Sequence, residues 1–189
     1  MINKALQFVK EILDQFLRNR YGLQESMVLV NRIIDNTGAV PSANANKVVI
    51  SLINIEKETL KQFYGRNQKM TDGNYADIHP SERYNLYLLI SANYDDYNET
   101  LKFLNASIRF FQVHPAVTAE SYSNIPKGID KLEFEIEKIT YHQMHSLWTA
   151  MGAHYQPSLI YKLRLISVQG EEADGFTKSV SNVSSTASV

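Results

Sequence analysis

A near-continuous apolar run at residues 85–94 dominates the hydrophobic pattern of the chain. The run is too short to span a membrane and is rich in aromatic and branched side chains, which predicts a strand buried on both faces. Directly after it, apolar residues recur at steps of three and four, which predicts an amphipathic helix over residues 97–112. The positions expected on its buried face are Tyr97, Leu101, Leu104, Ile108 and Phe111.

The N-terminal residues 3–20 predict a second amphipathic helix, with Asn3 as N-cap and Gly22 just past its end. The predicted apolar face consists of Ala5, Leu6, Val9, Ile12, Leu13, Phe16 and Leu17. Asp14 and Arg18 fall on the other, polar side. Because that side carries charges of both signs, the helix is expected to pack on a sheet and not to lie on an anionic membrane.

Four more segments predict strands, at residues 27–34, 47–55, 131–138 and 159–168. Residues 140–151 predict a third helix, with Thr140 as N-cap and Gly152 at its end. We therefore expect a single α/β (α+β) domain with a mixed sheet of about five strands covered by about three helices. The expected core residues are Leu86, Leu88, Ile90, Leu104, Ile108 and Trp148.

Two segments lack the periodicity of a regular element. Residues 61–83 contain Phe63, Tyr64 and Tyr75 among Gly, Pro, Asn and Asp, which predicts a long contact loop or a strand-rich hairpin extension. Residues 169–189 are Ser-rich, with Phe176 as the one large apolar side chain, and we expect them to be ordered only if a neighbouring molecule holds them. The expected division is a domain at 1–168 and a C-terminal tail or arm at 169–189.

The amino-acid composition limits which partners and which kinds of functional site are expected. The 189 residues are 44% hydrophobic and 21% charged, as in an ordinary globular domain. A net charge of −1 predicts no general attraction to nucleic acid or to an anionic membrane. The absence of cysteine excludes disulfides and thiolate sites and fits a cytosolic origin. Residues 1–20 do not have the continuous apolar segment of a signal peptide, and no stretch reaches the ~20 apolar residues of a membrane helix.

Few residues are candidates for catalysis or metal binding. His142 and His145 stand three apart on a predicted helix, where they could share a metal or serve an α/β enzyme, but no carboxylate has ligand spacing there. Glu133, Glu135 and Glu137 alternate with core residues, which indicates a solvated or interface face of a strand. We therefore expect no catalytic, cofactor-binding or metal-binding residues. Tyrosine is abundant, at 11 residues, which favours an assembly protein.

Five segments together carry a family resemblance: residues 50–56 (ISLINIE), 85–94 (NLYLLISANY), 131–135 (KLEFE), 143–148 (QMHSLW) and 152–164 (GAHYQPSLIYKLR). In this order they resemble the tail-terminator or cap proteins of phage-tail-like contractile injection systems, the antifeeding-prophage and virulence-cassette class. The resemblance covers residues 1–168. The chain departs from longer family members because it ends soon after the last predicted strand.

The resemblance implies a structural role without cofactors. Six copies would form a ring on the last layer of the inner tube and sheath, end their polymerisation and close the distal end of the particle. The implied partners are the tube protein, the sheath protein and further copies of the chain, with no nucleic acid and no direct membrane insertion. Assembly would occur in the cytoplasm, and the final particle is either released or membrane-anchored. We expect Phe63, Tyr64, Tyr75 and Phe176 to be interface anchors, because aromatic side chains dominate binding hot spots.

Overall fold

The computed structural model describes residues 1–58, 67–69, 75–78, 82–129, 131–168 and 173–177. The helices in these ranges are α1 (Ile2–Tyr21), α2 (Tyr97–Val113) and α3 (Tyr141–Met151). The strands are β1 (Val28–Val30), β2 (Lys47–Lys57), β3 (Asn67–Lys69), β4 (Tyr75–Ile78), β5 (Glu82–Asn93), β6 (Ala116–Thr118), β7 (Lys131–Ile136), β8 (Ser158–Val168) and β9 (Ala173–Thr177). None of these helices is long and apolar enough to cross a membrane.

The chain forms two compact units, one of residues 1–57 and 83–167, the other of residues 58–82 and 168–189. The first unit contains a six-stranded mixed sheet in the order β1-β2-β5-β8-β7-β6. Strand β1 runs parallel to β2, whereas β5 runs antiparallel to β2 and β7 runs antiparallel to both β8 and β6. The predicted mixed α+β architecture is confirmed, with six strands instead of five, because the short β6 was not recognised.

Strand β5 occupies the centre of the sheet, and both of its faces are buried as predicted. Leu86, Leu88 and Ile90 point into the larger core, which α1 and α2 cover. Leu89 points to the opposite face and joins Ile33, Val49, Ile160 and Trp148 beneath α3. A strand with apolar neighbours on both faces has to be apolar at successive positions, which explains the continuous run in the sequence.

Helices α1 and α2 pack side by side through aromatic contacts. The ring centroids of Tyr21 and Phe103 are 5.3 Å apart, and those of Phe16 and Phe110 are 5.4 Å apart. Phe111 on α2 reaches the sheet, with its centroid 4.1 Å from that of Tyr161. The helix pair therefore closes the larger core from one side.

The buried face predicted for α2 was partly wrong. Leu104 and Phe111 are buried, but Ile108 is only half-buried, and Tyr97 and Leu101 are exposed. The buried positions are Thr100, Phe103, Leu104, Ala106, Ser107, Phe110 and Phe111. Apolar residues surround most of this helix, and the contact with α1 selects the side of Phe103 and Phe110 over the predicted one.

Helix α3 begins and ends as predicted. The Thr140 hydroxyl accepts from the Gln143 backbone N–H at 3.3 Å, and the Gln143 side chain accepts from the Thr140 backbone N–H at 2.8 Å. This reciprocal pair satisfies two N–H groups that the first turn leaves without partners. At the other end Gly152 has φ 68°, a left-handed conformation that glycine adopts without a Cβ clash.

Helix α1 carries a buried carboxylate that the sequence placed on its polar side. Asp14 Oδ1 accepts hydrogen bonds from the backbone N–H groups of Met27 at 2.6 Å and Val28 at 3.0 Å. Its Oδ2 lies 3.1 Å from Arg18 Nε. The helix starts at Ile2, before the predicted cap Asn3, and ends at Gly22 as expected. Asp14 therefore joins the helix to strand β1.

The second unit contains a three-stranded sheet in the order β3-β4-β9. Residues 67–69 pair antiparallel with 75–77, so the hairpin alternative is correct for this part of the predicted loop. Strand β9 pairs antiparallel with β4. Residues 173–177 are thus held by the same chain, contrary to our expectation that a neighbouring molecule would be needed, because β4 offers an open strand edge for backbone hydrogen bonds.

Candidate assembly surfaces

A row of polar side chains crosses the sheet on the face that carries α3. It consists of Glu56 on β2, Tyr87 on β5, Lys162 and Arg164 on β8, and Glu135 on β7, and we call it the polar ladder. Strand alternation places these residues on one face, since Tyr87 is two residues from Leu89 and Lys162 is two residues from Ile160, both beneath α3. The polar ladder is therefore the part of this face beside the hydrophobic patch that α3 covers.

The polar ladder is joined by hydrogen bonds and ion pairs between strands. The Tyr87 hydroxyl donates to Glu56 Oε2 at 2.6 Å, and Lys162 Nζ lies 3.5 Å from the same oxygen. Lys162 Nζ also lies 5.4 Å from the centroid of the Tyr87 ring. Arg164 Nη2 lies 2.9 Å from Glu135 Oε2. With two acidic and two basic residues, the polar ladder is a neutral, hydrogen-bonding surface.

The Tyr87–Glu56 hydrogen bond has an electrostatic consequence. It holds the proton on the phenol beside a carboxylate, so it raises the pKa of Tyr87 above its ordinary value, and burial acts in the same direction. Because the folded-state pKa is the higher one, the hydrogen bond stabilises the fold fully below the unfolded-state pKa near ~10. That contribution is lost as the pH rises through the folded-state pKa.

Tyr87→Phe is expected to lower the free energy of unfolding by at most about 1 kcal/mol at neutral pH, because the lost hydrogen bond lies near the surface. Chemical denaturation of both proteins should show this difference unchanged across neutral pH and smaller well above pH ~10. Tyr155→Phe is the control, since the Tyr155 hydroxyl makes no hydrogen bond in the described part of the chain. A Tyr87 that ionises at or below the ordinary pKa in ultraviolet difference spectra would contradict the argument.

An apolar surface lies along the side of α2 that faces away from α1. It comprises Tyr97, Leu101 and Ile108, which span an arc of about 40° at ~100° per helical residue. We group the exposed Ile136 of β7 with them, since it lies opposite Tyr161, whose ring contacts Phe111 of α2. We call these four residues the α2 flank. Tyr97 is 62% exposed, Leu101 45% and Ile136 52%.

The α2 flank itself is uncharged, and charged residues of both signs border it in the sequence. Glu99, on another side of the helix, pairs with Lys102 at 3.0 Å. Asp95 and Asp96 directly precede Tyr97 in the chain, and Arg109 directly follows Ile108, with no carboxylate paired to it in the described part of the chain. Exposed aliphatic and tyrosine side chains on one side of a helix are typical of a protein–protein contact. From the sequence these apolar residues are expected in the core, so their helical spacing alone does not reveal this surface.

The histidines of α3 are exposed on its surface. His142 and His145 make no hydrogen bond or ion pair in the described residues. No group of three or more His, Asp or Glu side chains that could hold a metal ion occurs in the same ranges. Tyr141 is 97% exposed beside them, and Tyr155 packs its ring edge against Trp148 at 5.9 Å between centroids. The region offers aromatic contact area and carries no assembled catalytic group.

The four aromatic residues predicted as anchors fall in the second unit. Phe63 and Tyr64 lie outside the described residues. Tyr75 lies on β4 and Phe176 on β9, two strands that pair with each other. In that register Tyr75 is opposite Thr177, and Ala76 is opposite Phe176. The backbone therefore brings two residues about a hundred positions apart to neighbouring places in one sheet.

Comparisons with known proteins agree with the resemblance seen in the sequence. The family described as the Pvc16 N-terminal domain matches residues 8–182. The fold is similar to the cryo-EM structure of the PVC sheath/tube terminator of an extracellular contractile injection system in its extended state. That match has a TM-score of 0.65 and 16% identity and covers 96% of this chain and 62% of that one.

A second similar structure is the cryo-EM structure of the tube-terminating cap of the anti-feeding prophage. Its TM-score is 0.59 at 13% identity, over 95% of this chain and 60% of that one. At such identities the likeness is one of fold. The chain thus spans somewhat over half the length of both solved relatives. No curated protein sequence matches the chain.

Proposed function

Because the chain belongs to the Pvc16 N-terminal domain family, we propose that it is a structural terminator that ends the inner tube and sheath of a contractile injection particle. The observation that carries this proposal is the likeness of 96% of the chain to a protein described as a sheath/tube terminator. A tube-terminating cap with the same fold supports the same role. The proposed role is non-enzymatic.

The physical requirements of termination fit such a protein. A tube grows by head-to-tail contacts that do not close along its axis, so every added layer presents the same end to the next. Growth stops when a subunit matches the tube end on one surface and has no equivalent surface beyond it. A rigid sheet with helices on both faces and distinct outer surfaces can supply this asymmetry without an active site.

The proposal includes a closed ring of six copies that contacts both the tube and the sheath. The two edges of the main sheet, at β1 and β6, lie at opposite ends of the strand order, which supports a head-to-tail contact between copies. Assembly in the cytoplasm followed by incorporation into an extracellular particle agrees with the similarity to an extracellular contractile injection system. The ring would close the distal end of that particle.

We further propose that the aromatic residues of the second unit contact the tube or sheath. Phe63, Tyr64, Tyr75 and Phe176 are the proposed anchors, because buried aromatic side chains contribute most of the energy at typical interfaces. In the register of β4 with β9, Tyr75 is paired with Thr177 and Phe176 with Ala76, so the two anchors alternate between the faces of the sheet and are proposed to act separately. Residues 1–168 would then serve as the terminator domain and residues 169–189 as an arm that takes part in the contact.

Deleting the gene should produce particles whose tubes and sheaths vary in length or fall apart, because nothing would end their polymerisation. Negative-stain electron microscopy of purified particles measures the length distribution. The gene restored in trans is the control and should return a uniform length. Uniform, contractile particles in the deletion strain would contradict the terminator role.

In the deletion strain, a variant with Phe63, Tyr64 and Tyr75 replaced by serine tests whether these side chains are needed for incorporation into the particle and not for folding. If these side chains are anchors, the protein should be produced and folded but absent from purified particles. Tyr141→Ser is the control for the loss of an exposed aromatic residue outside the second unit. Normal incorporation of the triple variant would contradict the anchor assignment and leave the terminator role unaffected.

A further inference from the structure

Two connections of the first unit lie next to each other at the end of the central strand β5. Residues 31–46 join β1 to β2, and we call them the first connection; residues 152–157 join α3 to β8, and we call them the second connection. Although the two are far apart in the chain, Ile34 Cδ1 lies 3.6 Å from the position that a Cβ atom would take at Gly152. The fold therefore places them side by side.

Asn93, the last residue of β5, is bonded to both connections by its side-chain amide. Its Nδ2 donates to the Asn44 carbonyl at 3.1 Å, and its Oδ1 accepts from Gln156 Nε2 at 3.3 Å. A side-chain amide can donate at one atom and accept at the other, which an aliphatic side chain or a carboxylate cannot do. Asn93 therefore links the second connection to the first.

Asn44 continues the network inside the first connection, where it is buried. Its Oδ1 accepts from Asn31 Nδ2 at 2.8 Å, and its Nδ2 donates to the Arg32 carbonyl at 2.9 Å. Its backbone N–H donates to the Pro41 carbonyl at 2.9 Å. The N–H, the carbonyl and both polar side-chain atoms of Asn44 are thus hydrogen-bonded, so a shift of this residue has to break several bonds that water replaces poorly.

The last residue of the first connection, Asn46, is also held by the end of β5. Its φ of 54° lies in the left-handed region, which asparagine adopts more readily than most residues other than glycine. Its backbone N–H donates to the Asn93 carbonyl at 2.7 Å, and its Oδ1 accepts from the Asp95 N–H at 3.4 Å. The first connection is therefore bonded to Asn93 through both its backbone and its side chain.

We propose that Asn93 couples the two connections, so that a displacement in either one is transmitted to the other. The coupling follows the amides from Gln156 through Asn93 to Asn44 and Asn31. It makes the two connections one preformed surface in place of two independent loops, and a preformed surface loses little conformational freedom when it binds. This inference goes beyond the terminator role and does not depend on it.

Amide hydrogen exchange followed by NMR tests the coupling, because one connection is altered and the exchange is measured in the other. The reporters are the Asn44 N–H in the first connection and, in the second, the Ala153 N–H, which donates to the Trp148 carbonyl at 3.2 Å. Gln156→Ala should speed exchange of the Asn44 N–H roughly tenfold, the effect of a typical coupling within one network. Asn31→Ala should likewise speed exchange of the Ala153 N–H. An unchanged Asn44 rate in Gln156→Ala would overturn the inference.

Two variants of Asn93 test whether the effect passes through this residue. In the Asn93→Ala background, adding Gln156→Ala should cause no further change at the Asn44 N–H, and a further acceleration would overturn the role of Asn93. Asn93→Asp is the matched variant, since it keeps the oxygen that accepts from Gln156 and loses the donor to the Asn44 carbonyl. In Asn93→Asp the Asn44 N–H should exchange faster, whereas the Ala153 N–H should keep its rate.

The Phe134 N–H, which donates to the Pro115 carbonyl at 2.9 Å between β7 and β6, is the reference outside both connections. Equal acceleration at this amide would show a loss of global stability in place of a coupling and would overturn the inference. Gln156 and Asn31 are partly exposed, so their alanine variants should retain the fold, and their result stands without the Asn93 variants. Because these measurements use the isolated protein, failure of the coupling leaves the terminator role unaffected.

Discussion

Replacing Trp148 by alanine is expected to lower the free energy of unfolding by about 3–5 kcal/mol, the usual range for truncating an enclosed tryptophan. Trp148 is the residue that α3 buries against the sheet, where it packs with Ile33, Val49, Leu89 and Ile160. Its indole N–H also points to the Met144 sulfur at 3.2 Å. The cluster is small, so its other members cannot close over the cavity that the ring would leave. Chemical denaturation with a two-state fit measures the loss.

Tyr141→Ala on the same helix is the matched control. Tyr141 is also aromatic, but it is almost wholly exposed, so its truncation should change the free energy of unfolding by no more than about 0.5 kcal/mol. A loss below about 1 kcal/mol for Trp148→Ala would mean that α3 is held to the sheet by other contacts. Equal losses for both variants would point to a general effect on the helix and would contradict the packing argument.

The central strand could be predicted from the sequence because its signal is local. A run such as Leu86 to Ile90 has no polar position that could face water, so a site between two packed layers is the arrangement that buries all of it. The caps of α3 are similarly local, since Thr140 and Gln143 make their reciprocal bonds within one turn. The mixed α+β fold was likewise predicted from periodicity, whereas the family resemblance carried the prediction of function, and the family match over most of the chain confirms the family.

The buried side of α2 could not be selected from the sequence alone. Phe103 and Phe110 compete with Tyr97, Leu101 and Ile108 as candidates for the core, and both sets recur at helical spacing. The choice depends on the position of α1, which brings Phe16 and Tyr21 against the first set. The same ambiguity concealed the α2 flank, because apolar residues at helical spacing are ordinarily assigned to the core.

Strands β6 and β9 show a second limit of sequence analysis. β6 has three residues within an irregular stretch, too few for a period of two to be visible. β9 is polar in composition, and its partner β4 is nearly a hundred residues away in the chain. β6 places one residue, Val117, in the core, and a single buried position gives no periodic signal. A pairing between distant segments cannot be inferred from either segment by itself.

Replacing Asp14 by alanine is expected to cost about 3 kcal/mol of stability, although aspartate in a helix is usually a surface residue. The carboxylate receives the backbone N–H groups of Met27 and Val28, at the start of the edge strand β1. In Asp14→Ala the two N–H groups would lose their acceptor, and because residue 14 is buried, little water can take the place of the carboxylate. An unsatisfied buried donor costs about 1–3 kcal/mol, so two of them account for the expected loss. Chemical denaturation measures it.

Two variants separate the hydrogen bonds of Asp14 from its ion pair. Asp14→Asn keeps an acceptor oxygen for the N–H groups of β1 and should lose only about half as much stability as Asp14→Ala. Arg18→Ala removes the ion pair but leaves both hydrogen bonds, and it should cost less than about 1 kcal/mol because the arginine is partly exposed. If Arg18→Ala proved as damaging as Asp14→Ala, the ion pair would be the main link. We expect Asp14→Ala to give the largest loss of unfolding free energy and Arg18→Ala the smallest. That order would establish that the carboxylate fixes β1 to the helix by accepting hydrogen bonds from the backbone N–H groups of Met27 and Val28.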